Sequence, residues 1–253
     1  MIPHPEKAYK GGEDAAYVDS QIIAVADGVG GWASHGVDPK IYSNRLIDAV
    51  RKFWHEKTEQ YRKNPKELLE AAASVVDELG SSTLVICTLD DRKHLLYTTY
   101  MGDSGYLIFR PNKEGNDIDL FYEFQEMQKA FNFPYQLGYQ KYGDNPNLAW
   151  KFKHNIKNND IIIVGSDGLF DNLSPDQIKE IIKSIDNNNK LNHLEQQDIN
   201  QISEIIAKEA YDLSLNKFYS SPFSQKAKQH NKYFMGGKSD DITVAVGQIK
   251  LQK

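Results

Sequence analysis

Cysteine is almost absent from this chain, which has a single one, Cys87, among its 253 residues. One thiol cannot form an internal disulfide, nor a zinc site built from several cysteines. Cys87 lies within the apolar run of residues 83–89, which favours a buried structural thiol over a nucleophile. We therefore expect no mechanism that depends on a cysteine nucleophile.

Long hydrophobic runs and an excess of basic residues are missing as well. No apolar stretch approaches the ~20 residues that a membrane-spanning helix needs, so we expect no membrane span. The formal net charge of −5 provides no basic surface for nucleic acid, and we expect no nucleic-acid partner. The first five residues lack the pattern of a targeting segment. We therefore expect either a cytoplasmic protein or one whose targeting segment is missing from this chain, and the sequence does not separate the two.

Strands and helices are predicted to alternate along the chain. Apolar runs between turn residues predict strands at 15–18, 21–26, 83–89, 94–100, 105–110, 119–124, 151–154, 161–164 and 242–249. Helical spacing predicts four helices. Three of them begin at a proline, namely at Pro39, at Pro65 (to Leu79) and at Pro175, and the fourth covers residues 199–213. Residues 126–148 and 220–238 are predicted loops, and Asn187–Asn189 a polar loop. The pattern predicts one α+β domain spanning residues 1–253.

Several acidic residues have the same local context in the sequence. Each lies at one end of a predicted apolar strand and beside Gly, Ser or another Asp. These are Asp27, Asp103 and Asp167, each after a predicted strand, and the pair Asp240 and Asp241 before the last one. A further carboxylate, Asp171, follows Asp167 by four residues. Each Asp taken alone is readily explained as a turn residue, whereas the repetition favours a shared site.

Carboxylates gathered at one cleft repel each other severely unless cations offset their charge. Hard divalent ions bound by oxygen ligands, Mg²⁺ or Mn²⁺, offset it most simply. None of the seven His residues has a zinc-like spacing. The spacing of the carboxylates therefore favours a magnesium or manganese site.

Five motifs, in order and covering about residues 8–249, resemble the protein phosphatase 2C (PP2C, PPM) family of metal-dependent protein serine/threonine phosphatases. They are Gly12-Glu13-Asp14-Ala15, Asp27-Gly28-Val29-Gly30-Gly31, Gly102-Asp103-Ser104, Ser166-Asp167-Gly168-Leu169-Phe170-Asp171 and Asp240-Asp241-Ile242-Thr243. Further segments are similar to its Ptc7-like, mitochondrial-type branch. These are His4-Pro5-Glu6-Lys7, Trp32-Ala33-Ser34-His35-Gly36, Phe133-Pro134-Tyr135-Gln136-Leu137, Ser221-Pro222-Phe223-Ser224 and Gly236-Gly237-Lys238.

The resemblance implies a four-layer α-β-β-α sandwich, in which two antiparallel sheets are flanked by helices. It assigns Asp27 as a carboxylate that bridges two core metals, Mn²⁺ or Mg²⁺, with the Gly28 carbonyl on one of them. Asp167 and Asp240 look like ligands of the first metal, although Asp241 stands where many relatives have Asn.

The remaining acidic residues have less direct roles in the same resemblance. Glu13 and Asp14 look like groups that hold metal-bound waters. Asp103 and Asp171 would form a third, weaker metal site with Asp167. The implied substrate is a phosphoprotein, bound by a monomer whose loops at 126–148 and 216–238 set specificity.

The implied reaction is direct attack on phosphorus by a water that two cations activate, without a phosphoenzyme. Two departures from the family leave roles open. Tyr9 stands in place of a phosphate-binding Arg, so that Lys7 or Lys10 substitutes for it or both are solvated surface lysines. Val29 stands in place of a His that serves as general acid, so the proton must come from another group. Metal-bound water is one candidate, and the nearby His35 is another, although a lone loop histidine usually has no special role.

Three further expectations complete the sequence-based interpretation. Trp32 is expected in the core rather than beside the site. A catalytically silent binding module is an alternative, but it would lack metal ligands. A phosphohydrolase of small phosphomonoesters is another, although no metabolite-specific pocket is apparent in the sequence.

Overall fold

The computed structural model describes residues 1–185 and 191–251. Its thirteen strands are β1 (Asp14–Asp19), β2 (Ile22–Asp27), β3 (Ser81–Ser82), β4 (Leu84–Asp90), β5 (Leu95–Met101), β6 (Gly105–Pro111), β7 (Ile118–Glu123), β8 (Gln128–Ala130), β9 (Phe133–Pro134), β10 (Leu137–Gly138), β11 (Trp150–Asn155), β12 (Ile161–Gly165) and β13 (Val244–Gln248) within those residues. Its helices there are α1 (Pro39–Glu56), α2 (Thr58–Tyr61), α3 (Pro65–Val75), α4 (Asp167–Phe170), α5 (Pro175–Ile185), α6 (Gln196–Ser214) and α7 (Pro222–Gln229). Short 3₁₀ helices occur at Pro5–Lys10, Gly30–His35, Gln140–Tyr142, Pro146–Leu148 and Leu191–His193.

The chain divides into two compact units. The N-terminal unit comprises Pro5–Gly105 and Gln125–Asn155. The C-terminal unit comprises Met1–His4, Tyr106–Phe124 and Ile156–Lys253. The single domain expected over residues 1–253 stays a prediction.

A five-stranded sheet with the order β1-β2-β4-β5-β11 forms the N-terminal unit. Every pair of neighbouring strands in it is antiparallel. Helices α1 and α3 pack against each other and against this sheet. Apart from Ser43, the helix residues that they bury completely are apolar or aromatic, namely Tyr42, Leu46, Val50, Leu68, Leu69 and Ala72. Each such leucine contributes about 1.5–3 kcal/mol through the apolar surface that it removes from water.

The C-terminal unit contains a four-stranded sheet with the order β13-β12-β6-β7. Its β12–β13 and β6–β7 pairs are antiparallel. Helix α6 packs on β13, and α5 packs on β7 and on α6. The fully buried isoleucines of the two helices, Ile178, Ile182, Ile202 and Ile206, face this packing.

Three helices begin at the prolines that the sequence predicts as their first residues. Asp38 caps α1, since its side chain accepts a hydrogen bond from the Lys40 amide, and Pro39 follows at the first position. A proline costs nothing there because its missing N–H would have no partner inside the helix. The predicted starts at Pro39, Pro65 and Pro175 are confirmed.

Three expectations about local structure are wrong. Helix α3 ends at Val75 rather than Leu79, because Val76 adopts an extended conformation, and Val75 and Leu79 are exposed. The predicted loop at 126–148 contains the short strands β8, β9 and β10. The predicted loop at 220–238 contains α7, which Ser221 caps by accepting from the Ser224 amide.

The polar loop predicted at Asn187–Asn189 lies outside the described residues. No helix in the described part of the chain is long and apolar enough to span a membrane.

Acid should destabilise the N-terminal unit through His154, which is 9% exposed in β11. Burial lowers the pKa of His154 from 6.5 to about 4, so the folded chain excludes a proton that the unfolded chain binds between those values. The free energy of unfolding should therefore fall as pH falls through that window, by up to ~1.4 kcal/mol per pH unit from this group. Urea unfolding of His154→Leu should lack that part of the slope.

The matched control is His193→Gln, which changes an exposed histidine and should keep the wild-type slope. An unchanged slope in His154→Leu would mean that this imidazole titrates normally in the folded chain.

Candidate metal centre

Three predicted acidic residues lie at one end of the first hairpin of the N-terminal unit. The antiparallel register of β1 and β2 places Asp14 directly opposite Asp27. The Gly28 amide donates to the Glu13 carbonyl at 3.3 Å and extends the pairing by one step. Glu13 is 1% and Asp14 7% exposed. The sheet therefore brings Glu13, Asp14, Asp27 and Gly28 together.

Glycine at position 28 permits a close approach of three backbone segments. A Cβ there would lie 2.8 Å from the carbonyl oxygens of both Glu13 and Pro39. Those atoms are backbone and cannot move aside like a flexible side chain. Only glycine therefore allows the chain after Asp27 to run this close to β1 and the start of α1.

Glu13 is held by two lysines. The Lys7 ammonium lies 2.6 Å from Oε2 and the Lys10 ammonium 2.9 Å from Oε1 of that carboxylate. Lys10 also lies 2.7 Å from Asp38. Burial lowers the pKa of Lys10, but hydrogen bonds to Asp38 and Glu13 outweigh it and leave the pKa raised. The alternative that both lysines are solvated surface residues is wrong.

Asp103, the fourth predicted acidic site residue of this unit, lies between β5 and β6. It is 5% exposed and accepts a hydrogen bond from Gln128 Nε2 at 3.2 Å. Gly102 before it has a φ of +111°, which an L side chain rarely adopts. This glycine thus sets the sharp turn that presents Asp103.

Three predicted ligands of the C-terminal unit converge on one ammonium group. Asp167 is the first residue of α4, and Asp171 directly follows its last residue, one helical turn later on the same face. The Asp171 amide donates to the Asp167 carbonyl at 2.8 Å. Lys238 Nζ donates to Asp167 Oδ2 and, at 2.7 Å, to Asp171 Oδ2. It lies 3.5 Å from Asp240 Oδ2.

Asp240 and Asp241 have different surroundings. The Asp241 carboxylate, 3% exposed, accepts the His4 amide at 2.7 Å. That bond adjoins the bridge between Ile2 and Ile242 and anchors the first residues of the chain. Of the two, only Asp240 lies with Asp167 around the ammonium, which favours Asp240 as the ligand.

The carboxylates fit a hard divalent cation in their chemistry. Asp167, Asp171 and Asp240 already surround one cation, and carboxylate oxygens are the ligands that Mg²⁺ and Mn²⁺ prefer. However, within residues 1–185 and 191–251 no three or more His, Cys, Asp or Glu side chains are arranged to hold a metal ion. The ligand set stays a prediction.

Four residues outside the predicted ligand set also have expectations from the sequence. Trp32 is half-buried, not in the core, and its Nε1 donates to Ser81 Oγ at 2.6 Å. His35 is exposed, as is Tyr9. Cys87 is 2% exposed in β4, and burial raises the pKa of its thiol. The expected buried structural thiol is confirmed.

Lys238 is the main residue that the sequence did not assign to the site. Its segment, Gly236-Gly237-Lys238, served only as a sign of family branch. The available signal was a lysine two residues before a predicted metal ligand. Lys226, whose ammonium lies 3.5 Å from Asp171 Oδ1, has no comparable sequence signal.

Comparisons with known proteins identify the family of this chain. The family model described as stage II sporulation protein E (SpoIIE) matches residues 18–218. The human protein phosphatase PTC7 homolog is 34% identical over 94% of this chain and 79% of its own length. The chain belongs to the protein phosphatase 2C family. That family consists of metal-dependent protein serine/threonine phosphatases, so the predicted family and enzyme class are confirmed.

The lengths of the family relatives differ from that of this chain. An Arabidopsis thaliana relative, probable protein phosphatase 2C 80, is 33% identical over 98% of this chain but only 57% of its own length. The chain thus spans little more than half of that relative.

Solved structures confirm the predicted fold class. The X-ray structure of the photosystem II phosphatase PBCP has a TM-score of 0.86 and 30% identity, and the match covers 99% of this chain and 97% of PBCP. The catalytic domain of the phosphatase PstP, solved with two manganese ions, has a TM-score of 0.58 and 15% identity. That match covers 94% of this chain and 92% of the PstP chain. The latter likeness concerns the fold alone.

Substituting Gly168→Ala should test the backbone contact beside Asp167. A Cβ at Gly168 would collide with the Asp241 carbonyl oxygen, so α4 and the segment before β13 would have to separate. Overpacking of this kind costs typically about 1–3 kcal/mol of unfolding free energy. Chemical denaturation measures that loss.

Gly31→Ala is the control, since a Cβ at Gly31 would meet no described atom within 4 Å. Its effect should stay within about 0.5 kcal/mol. Equal stability of both variants would show that the chain near Gly168 relaxes without cost.

A double-mutant cycle on Lys10→Met and Glu13→Gln should measure the charge pair. Because the Glu13 side chain is 2% and Lys10 19% exposed, we expect a coupling energy on the order of 1 kcal/mol in urea unfolding. The exposed pair Lys208 and Asp212, treated in the same way, should give about 0.5 kcal/mol or less. Similar coupling in both cycles would mean that burial adds nothing to the Glu13 pair.

Proposed function

We propose that this protein hydrolyses phosphoserine and phosphothreonine on proteins, with Mn²⁺ or Mg²⁺ as its cofactor. The observation that supports this most strongly is the convergence of Asp167, Asp171 and Asp240 on one cation in the C-terminal unit. The one ammonium among these three carboxylates leaves negative charge that a divalent ion would offset. Membership of the protein phosphatase 2C family supports the same reaction.

The proposed ligands of the two core ions are those that the sequence predicts. They are Asp27, the carbonyl of Gly28, Asp167 and Asp240. When bound, the ions supply hydroxide from water near neutral pH and offset the charge that develops on the phosphoryl oxygens. The carboxylates would hold the ions, and the Ser or Thr alkoxide would leave phosphorus directly as the oxygen of the attacking hydroxide bonds to it.

Glu13 and Asp14 are proposed to orient the attacking water as hydrogen-bond acceptors. Lys7 and Lys10 support this role, because they hold both oxygens of Glu13. With their ammonium groups on Glu13, we assign them to positioning that carboxylate rather than to binding phosphate. Val29 has no proton to give, and the general acid stays unassigned.

The proposed substrate is a phosphoprotein, and the loops at 126–148 and 216–238 are proposed to select it. A monomer made of a single domain stays a prediction, as does the choice between a cytoplasmic and a mitochondrial location.

Dephosphorylation of a phosphothreonine peptide tests the proposal. Activity should require Mn²⁺ or Mg²⁺ and be lost in EDTA. Asp27→Asn and Asp167→Asn should each lower kcat/KM by roughly 10²-fold or more, because each removes charge that stabilises the transition state. Asp48→Asn, which changes an exposed partner of Arg51 on α1, should retain wild-type activity. Full activity in EDTA would refute a metal-dependent reaction.

The same assay separates the two alternatives. A silent binding module would bind phosphopeptide without turnover. A phosphohydrolase of small phosphomonoesters would show a higher kcat/KM for p-nitrophenyl phosphate or a sugar phosphate than for the phosphopeptide. We expect the phosphopeptide to be preferred.

A further inference from the structure

The Lys238 ammonium lies where three carboxylates converge. It contacts Oδ2 of Asp167 and of Asp171, and it lies 3.5 Å from Oδ2 of Asp240. The Lys238 side chain is 14% exposed and those of Asp167 and Asp171 are 13% and 7% exposed. An ammonium has three donors and here it has three carboxylate oxygens around it.

The backbone of Lys238 is fixed by a fully buried side chain. Asn172 Nδ2 donates to the Lys238 carbonyl at 2.8 Å, and the Lys238 amide donates to Asn172 Oδ1 at 2.9 Å. Before it, a Cβ at Gly237 would collide with the Leu213 carbonyl at the end of α6. The loop therefore reaches this position only with glycine at 237.

Two further groups surround the ammonium and its acidic partners. The Phe223 ring centroid lies 5.1 Å from Lys238 Nζ, a distance at which a cation is attracted to an aromatic face. The Lys226 ammonium lies 3.5 Å from the other oxygen of Asp171. Asp171 thus has a lysine on each of its two oxygens.

We propose that the Lys238 ammonium takes the place of the third metal ion that the sequence predicts at Asp103, Asp167 and Asp171. This inference rests on the proposed function, and it gives the chain two divalent ions rather than three. A divalent ion at Asp171 would have to displace Lys238 and would be repelled by Lys226. A lysine held by its own backbone needs no metal in solution to keep Asp167 and Asp171 in place.

Lys238 is accordingly a positioning residue for Asp167, and it differs from a metal in one respect. Its charge is covalently attached, so chelation or dilution cannot remove it. Activity should therefore rise with Mn²⁺ to a single plateau once two ions are bound, with no further activation from a weaker site.

Equilibrium dialysis against Mn²⁺, with metal and protein measured by elemental analysis, tests the inference without an activity assay. The wild-type chain should bind two Mn²⁺ and Lys238→Met a third, weaker one. Lys226→Met/Lys238→Met should bind that third ion more tightly, because the lysine contacts to Oδ1 and to Oδ2 of Asp171 are then both removed. Lys238→Met/Asp171→Asn should return to two.

The controls separate charge from folding. Lys228→Met changes an exposed lysine on α7, the helix that carries Lys226, and should bind two ions. Lys238→Arg keeps a cation and should also bind two. Circular dichroism melting verifies that each variant is folded, and Lys238→Gln replaces Lys238→Met if the latter is not.

Three ions on the wild-type chain, reduced to two by Asp171→Asn, would overturn the inference and leave the proposed function standing. A folded Lys238→Met or Lys238→Gln that still binds two ions would overturn it as well. A wild-type chain that binds no Mn²⁺ would refute the proposed function, and this inference with it.

Discussion

Repulsion among carboxylates at the ends of strands is the constraint on which this structure depends. In each unit, lysines of the same unit offset this repulsion. In the N-terminal unit Lys7 and Lys10 hold Glu13, and in the C-terminal unit Lys238 lies between Asp167 and Asp171. A buried charge without a partner would cost several kcal/mol. The paired lysines thus allow acidic residues to stay buried at positions that a divalent ion can use.

At these strand ends, glycines allow neighbouring backbone segments to lie close together. Gly28 and Gly168 each directly follow a predicted ligand, and a Cβ at either would press on a carbonyl oxygen of a neighbouring segment. Gly237 has the same role one residue before Lys238. The Asp-Gly pairs of the sequence therefore reflect tight packing behind the carboxylates, in addition to any need for ligand approach.

Much of the site could be predicted because its ligands follow apolar strands, and strand ends are visible in sequence. Asp27, Asp103 and Asp167 are predicted in this way, and Pro39 predicts the start of α1. The partners of the lysines could not be found, because they depend on how separate loops pack. Lys238 meets Asp171 only through the fold of the loop after α7, a helix that the sequence placed within a loop.

Anomalous X-ray diffraction from crystals of the Mn²⁺-loaded protein would test the central claim most directly. It locates each manganese ion and the lysines beside it in one experiment. The account predicts two anomalous peaks about 3.5–4 Å apart beside Asp27, with Lys238 Nζ still hydrogen-bonded to Asp171. A manganese peak on Asp171, with the Lys238 side chain turned away, would contradict it.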